Sequence, residues 1–168
     1  YNASEFIEKS IRAYQWYAPA CFNMYRRDFL LQNELFFKVG IYFEDMQMLP
    51  RVFLAAQKIA CMDGVFYHYV VRENSIMTSQ KDTKKKNNSI QNLREWKEQF
   101  DHVQDAELRK ILYGMLVKCY LHECRVYGIT KWEIDGVDFK FVVNNSLNFK
   151  EKIKGLLFAL LPKCYVRV

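Results

Sequence analysis

Apolar residues recur at intervals of three and four along much of the chain, which places them on one side of an α-helix. This pattern covers 3–17, 26–32, 46–60, 90–103, 107–127 and 148–161. Three other stretches are rich in β-branched and aromatic residues and are typical of short strands, namely 20–25, 65–71 and 139–143. Both alternating faces of 65–71 are apolar, which favours a strand covered on both sides. The pattern therefore predicts a mostly helical α/β chain with a few strands.

Breaks in the pattern divide the chain. Pro19 ends the first helix, because a proline pushes the preceding residue out of the helical region. Pro50 lies inside a predicted helix and either kinks it or delays its start. The lysine-rich stretch 81–89 belongs to a region without periodicity, so we predict a mobile loop there. This loop separates residues 1–80 from a helical extension, 90–168.

Composition narrows the class of protein. The chain has 168 residues, of which 51% are apolar, so general disorder is excluded. Five scattered cysteines indicate reduced thiols in a cytoplasmic protein. The net charge of +6 allows an anionic partner of any class. A nucleic acid is disfavoured, because the basic residues are not interleaved with aromatic residues along one face.

Glu44 and Asp45 form an adjacent acidic pair at the opening of an amphipathic helix. Negative charge is favoured there, so ordinary helix capping explains the pair on its own. Adjacent helical residues point about 100° apart, and the two carboxylates therefore cannot share one task.

The surroundings of this pair suggest more. Before it come Y-R-R-D-F-L at 25–30 and N-E-L-F-F at 33–37, and after it comes Y-H-Y-V-V-R-E-N-S-I at 67–76. In this order and spacing, the segments resemble the second half of bacterial family 2 glycosyltransferases of the GT-A fold, which build surface polysaccharides. The resemblance covers about residues 10–80. It implies the C-terminal part of an α/β GT-A domain followed by a helical tail.

The resemblance also implies a reaction, the transfer of a hexose from a nucleotide-diphosphate sugar to a saccharide or lipid-linked saccharide. Asp45 is then the general base that takes the proton of the acceptor hydroxyl, with Glu44 beside it in the catalytic pair. An ionised carboxylate suits that task at neutral pH. The competing interpretation is a non-catalytic helical interaction or membrane-docking module in which the pair is purely structural.

Four further residues are candidates for the same site. Arg72 could close over the diphosphate through its planar fork, or pair with Glu73 on the surface. Ser75 is a candidate substrate-binding residue, or only part of a turn. His68 either completes a metal shell, as in some relatives, or packs within the strand. Trp16 either stacks on an acceptor sugar or belongs to the core.

The resemblance places the metal site in a part of the protein that precedes this sequence. The chain begins at Tyr1 and lacks the Asp-x-Asp that holds a divalent metal in GT-A enzymes. The resemblance therefore implies a preceding half that binds the nucleotide and a Mn²⁺ or Mg²⁺ ion, and a piece that is inactive by itself. Cys119, His122 and Cys124 do not form a predicted metal site, because Cys124 lies off the face of the other two.

The tail, 148–168, combines an apolar stripe with surrounding basic residues. The stripe consists of Phe149, Ile153, Leu156, Leu157, Leu160 and Leu161. The basic residues are Lys150, Lys152, Lys154, Lys163 and Arg167, against the single acid Glu151. This composition is typical of a helix in a membrane interface, and packing onto the domain is equally compatible with it. The first alternative predicts peripheral contact with the inner face of the cytoplasmic membrane.

Overall fold

The computed structural model describes residues 1–16, 18–71, 73, 75–76 and 81–167. Eight α-helices occupy these residues: α1 Ala3–Arg12, α2 Arg27–Gln32, α3 Glu44–Ala55, α4 Thr83–Asp101, α5 Ala106–Tyr127, α6 Phe139–Asn145, α7 Phe149–Leu160 and α8 Pro162–Tyr165. A 3-10 turn at Ala20–Phe22 lies between α1 and α2.

The predicted α/β GT-A fold is wrong, because the described residues form an all-helical fold that is 59% helical and essentially without strands. Over the described residues the β-pairing is limited to an isolated bridge between Asn2 and Lys58. The predicted strand 20–25 contains the 3-10 turn, and 139–143 belongs to α6. The Asp138 carboxylate starts α6 by accepting the Phe141 N–H at 2.7 Å.

The remaining predicted strand, 65–71, is an irregular segment with exposed side chains. Val65 is 88% exposed and Val70 is 72% exposed, so neither face is covered. Its β-branched and aromatic composition favours extended backbone, but a strand needs a neighbour to share its hydrogen bonds. The described part of the chain offers no partner strand for 65–71. The segment therefore stays outside the core.

The core is built around α5, which contacts α1, α4, α6 and α7. Its buried positions go almost all the way round the helix: Leu108, Ile111, Leu112, Gly114, Met115, Leu116, Val117, Tyr120, Leu121 and Cys124. A helix that is apolar on most sides belongs inside a bundle. The predicted helix 107–127 is confirmed, with Asp105 capping its start and Gly128 ending it at φ 66°.

The most extensive packing is between α4 and α5. Helix α4 starts at Thr83, inside the stretch 81–89 that the sequence predicts as a loop. Asp82 explains this difference, because its carboxylate accepts the Lys85 N–H at 2.7 Å and so begins the helix. Lys84, Lys85 and Lys86 therefore lie in the first turn of α4.

Helix α5 passes close to the connection between α6 and α7 at Gly114. Any side chain at this position should therefore destabilise the protein. A Cβ there would lie 2.3 Å from the Leu147 side chain and 2.9 Å from the Asn145 carbonyl oxygen. Alanine favours the helix by about 1 kcal/mol, but overpacking costs about 1–3 kcal/mol. We expect Gly114→Ala to lower the free energy of unfolding, measured by urea denaturation. The exposed Lys110→Ala on the same helix is the control, and a more stable Gly114→Ala would contradict the close packing.

Candidate functional site

The first turn of α3 borders a cavity of about 650 Å³. Asp45 and Met46 line it from α3, and most of the remaining wall comes from α4, α5 and the tail helices. The polar and charged lining residues are Asp45, Lys81, Lys85, Ser89, Lys118, His122, Glu123, Arg125, Tyr127, Glu151, Lys154 and Tyr165. A concave space with convergent polar groups is the usual form of a small-molecule site.

Phe43, the residue before the acidic pair, has a left-handed backbone with φ 62° and ψ 39°. This conformation is rare for a bulky residue and costs on the order of 1–3 kcal/mol. The surrounding structure holds it in place, because the Asn92 side-chain amide donates to the Phe43 carbonyl at 2.9 Å. The Tyr42 N–H in turn donates to the Asn88 side-chain oxygen at 3.0 Å.

A third residue of α4 holds the same turn. Pro50 lies inside α3 and has no N–H, so the carbonyl of Met46, four residues earlier, loses its helical donor. The Trp96 indole N–H donates to that carbonyl at 3.0 Å. The helix starts at Glu44 and continues through Pro50, so the predicted delay of its start by this proline is wrong. Asn88, Asn92 and Trp96 recur every four residues, and one face of α4 fixes the backbone on both sides of Asp45.

Burial raises the pKa of Asp45 above its usual value, and the neighbouring Glu44 charge raises it further. The Met46 N–H opposes this shift by donating to Asp45 Oδ1 at 2.7 Å. Burial also raises the pKa of Tyr25, and the Asp45 charge contributes, so the two side chains lie near each other. In the described part of the chain Asp45 takes part in no salt bridge. Asp45 is therefore a half-buried carboxylate with an increased affinity for a proton.

Cations outnumber carboxylates around the cavity, with five against three. The cations are Lys81, Lys85, Lys118, Arg125 and Lys154. Lys85 is buried, and its ammonium donates to the Ile76 carbonyl at 2.9 Å. A second hollow of about 330 Å³ shares Lys81, His122 and Arg125 with the cavity and adds Arg167. Positive charge therefore predominates on this wall.

The two other carboxylates of the cavity differ in role. Burial raises the pKa of Glu123, and a hydrogen bond with Ser89 partly offsets this rise. Glu151 takes part in the start of α7: Asn148 Oδ1 caps the helix by accepting the Glu151 N–H at 3.0 Å, and Glu151 Oε2 accepts the N–H of Leu147, the residue before the cap, at 3.0 Å. Glu151 thus serves the start of α7, and Asp45 and Glu123 are the carboxylates of the cavity outside that cap.

None of the other predicted site residues that the structure describes is part of the cavity wall. Glu44 is half-buried and is not part of the cavity wall, while Trp16 packs edge-on against Phe53 with ring centroids 5.0 Å apart. His68 is exposed, and Ser75 is half-buried next to the cavity residue Ile76. Arg72 lies outside the described residues.

A metal site is not visible in the described part of the chain. Its His, Cys, Asp and Glu side chains nowhere form a group of three that could hold an ion. His68 in particular stands on the exposed segment 65–71. The Mn²⁺ or Mg²⁺ ion implied by the resemblance, with His68 in its shell, stays a prediction.

Sequence reasoning missed the contribution of α4. Lys85, Ser89, Asn92 and Trp96 fall on one face of this helix, with spacings of four, three and four residues, and all four are buried. Polar side chains on the inward face of a helix need partners, and here those partners are the cavity and the first turn of α3. The sequence does contain this information, because these polar residues have the same helical spacing as the apolar stripe that continues to Phe100.

No family model matches this sequence, and neither a curated protein nor a solved structure is significantly similar to it.

Proposed function

We propose that this chain supplies the acceptor-activating base, Asp45, of a glycosyltransferase that uses a nucleotide-diphosphate sugar. The observation that carries the proposal is the position of Asp45, a half-buried carboxylate at a cavity whose wall is rich in cations. Because the described chain is helical, the proposal depends on this site and on the sequence segments around it, and not on a GT-A fold. The acceptor is a saccharide or a lipid-linked saccharide.

The chemistry divides between the carboxylate and the cations. As the acceptor oxygen attacks the anomeric carbon, its proton passes to Asp45 and the bond between that carbon and the diphosphate oxygen breaks. The diphosphate leaves with the bonding electron pair, and the cations of the wall stabilise its growing charge. Lys118 and Arg125 are exposed members of that wall. No step is assigned to a metal, because the described residues offer no ligand group for one.

A second candidate function is a non-catalytic module that binds an anionic partner. One observation favours it, because Asp45 Oδ1 already accepts the Met46 N–H and so satisfies one of the unpaired N–H groups in the first turn of α3. Both candidates predict an anion at the cavity. They differ in whether Asp45 takes a proton, and therefore in whether its replacement stops a reaction.

The shared anion site is tested by titrating the chain with inorganic diphosphate in a calorimeter. We expect Lys118→Ala and Arg125→Ala each to weaken binding about three- to tenfold, because each removes one positive charge from the wall. Lys110→Ala is the matched control, since Lys110 is an exposed cation of the same helix outside the cavity. Equal binding by all three variants, or no binding by the wild type, would remove the anion site from both candidates.

Sugar transfer itself is tested with the complete enzyme, meaning this chain together with the nucleotide-binding half that the proposal requires. Release of nucleoside diphosphate from a panel of nucleotide-diphosphate sugars is measured with and without acceptor saccharides. The proposal expects release that depends on an acceptor. Diphosphate binding without release from any donor would favour the non-catalytic module.

A further inference from the structure

Helix α7 packs on the protein through one face and leaves the opposite, apolar face exposed. The outward face consists of Phe149, Ile153, Leu156 and Leu160, which fall within about 60° of one another around the helix axis. These side chains are between 44% exposed, at Leu156, and 75% exposed, at Phe149. The inward face consists of Glu151, Gly155 and Phe158. The apolar stripe predicted from the sequence is therefore largely turned away from the core.

The inward face fixes this orientation. A Cβ at Gly155 would lie 2.3 Å from Val142 Cγ1, so α7 and α6 are in close contact there. The Phe158 ring packs edge-on against Trp132, with centroids 4.6 Å apart, and against Tyr165 at 5.6 Å. Rotating α7 to bury the stripe would break these contacts. The outward face is thus exposed because the opposite face packs better.

Charge is arranged around the outward face in a matching way. Lys150 and Lys152 lie on opposite sides of the apolar stripe, and Lys163 follows at the start of α8. The single acid of 148–168, Glu151, is buried and accepts the Leu147 N–H. The outward face therefore presents apolar side chains flanked by positive charge, with its one carboxylate turned inward.

We propose that the outward face of α7 docks on the surface of an anionic phospholipid bilayer. Apolar side chains between flanking lysines allow a helix to lie in the interface plane, with the stripe in the acyl boundary and the ammonium groups at the lipid phosphates. A second copy fits less well, because the cations that flank the stripe on both copies would meet in one interface, where the buried Glu151 could not pair with them. None of the described helices has the length and apolarity to cross a bilayer. The docking is independent of the proposed sugar transfer.

The test is co-sedimentation of the chain with large vesicles. We expect binding to vesicles that contain phosphatidylglycerol to be at least tenfold tighter than to vesicles of phosphatidylcholine alone, and to weaken as salt is raised. Replacing Lys150 and Lys152 by glutamine should weaken binding about fivefold for each charge. Equal binding to both kinds of vesicle, or no binding to either, would overturn the proposal without affecting the site at Asp45.

The apolar part of the contact is tested with matched pairs of substitutions. Phe149→Ser with Leu160→Ser should weaken binding to the anionic vesicles at least tenfold. The control is Val65→Ser with Val70→Ser, two exposed apolar residues away from the tail, which should leave binding unchanged. If the control pair weakened binding as much as the tail pair, the contact would not be specific to α7. A concentration-dependent dimer in sedimentation equilibrium that the tail pair abolishes would assign the face to a second copy instead.

Discussion

Asp45→Asn should lower the rate of sugar transfer by the complete enzyme at least 100-fold, with little effect on the acceptor KM. Asparagine keeps the size of the side chain but cannot accept the proton of the acceptor hydroxyl, and general-base catalysis contributes about 10²–10⁴-fold. The assay is the initial rate of nucleoside diphosphate release at saturating donor. Asp28→Asn is the control, because Asp28 is an exposed acid of α2 outside the cavity. Undiminished turnover of Asp45→Asn would exclude Asp45 as the base.

The same substitution has a second result, which does not depend on activity. The folded-state pKa of Asp45 is raised, so the folded protein binds this proton more tightly than the unfolded chain. The stability that this proton provides is fully present below the unfolded pKa of about 3.9 and is lost as pH rises through the folded pKa. At pH 7 the buried charge therefore costs stability, and Asp45→Asn should be more stable than the wild type. We expect this difference, measured by urea denaturation, to disappear near pH 3.

Trp96→Ala should be among the most destabilising substitutions in the chain, with a loss of about 3–5 kcal/mol in the free energy of unfolding. The Trp96 side chain is 1% exposed, and its ring packs beside Phe100 with centroids 6.0 Å apart. A loss of this size is a large part of the stability of a typical domain, about 5–15 kcal/mol. Urea denaturation followed by far-UV circular dichroism measures it. A loss below about 1 kcal/mol would contradict the packing around this ring.

A gentler variant isolates the hydrogen bond. Trp96→Phe removes the donor to the Met46 carbonyl, and an unsatisfied buried carbonyl costs about 1–3 kcal/mol. In a Pro50→Ala background, residue 50 regains an N–H that can donate to the same carbonyl, so the cost of Trp96→Phe should fall by about 1 kcal/mol. Trp132→Phe, far along the chain from this bond, should show no coupling to residue 50. A coupling energy of zero for Trp96 would show that the indole N–H does not replace the missing helical donor.

The helices were largely predictable from the sequence, and the strands were not. The apolar period over 107–127 and the caps at Asp105 and Gly128 are local signals, and they give α5 nearly to the residue. The composition of 65–71 favours extended backbone, but whether a strand forms depends on a partner strand, which a local pattern does not reveal. The helix cap at Asp82 was not predicted either, because the lysines that follow it favour a solvated loop over the first turn of α4.

The site was predictable only in part, for a similar reason. The acidic pair at the start of a helix is visible in the sequence, and Glu44 and Asp45 do open α3. Four of the five cations that share the cavity with Asp45 come from α4, α5 and α7, which meet only when the chain folds. Trp96 lies 46 positions after Pro50 in the chain. The proline alone predicts a missing helical hydrogen bond, but it does not indicate that the Trp96 indole N–H donates to the Met46 carbonyl instead.

The exposed stretch 61–71 is a place where this protein can gain residues during evolution. Helix α3 is fastened to α4 by side-chain hydrogen bonds and buried contacts, while 61–71 takes no part in the core. Extra residues there would disturb neither helix, and segments of this kind are where insertions and relocated chain ends are tolerated. A gene encoding this chain could therefore acquire a whole additional domain at 61–71 and still specify the same bundle.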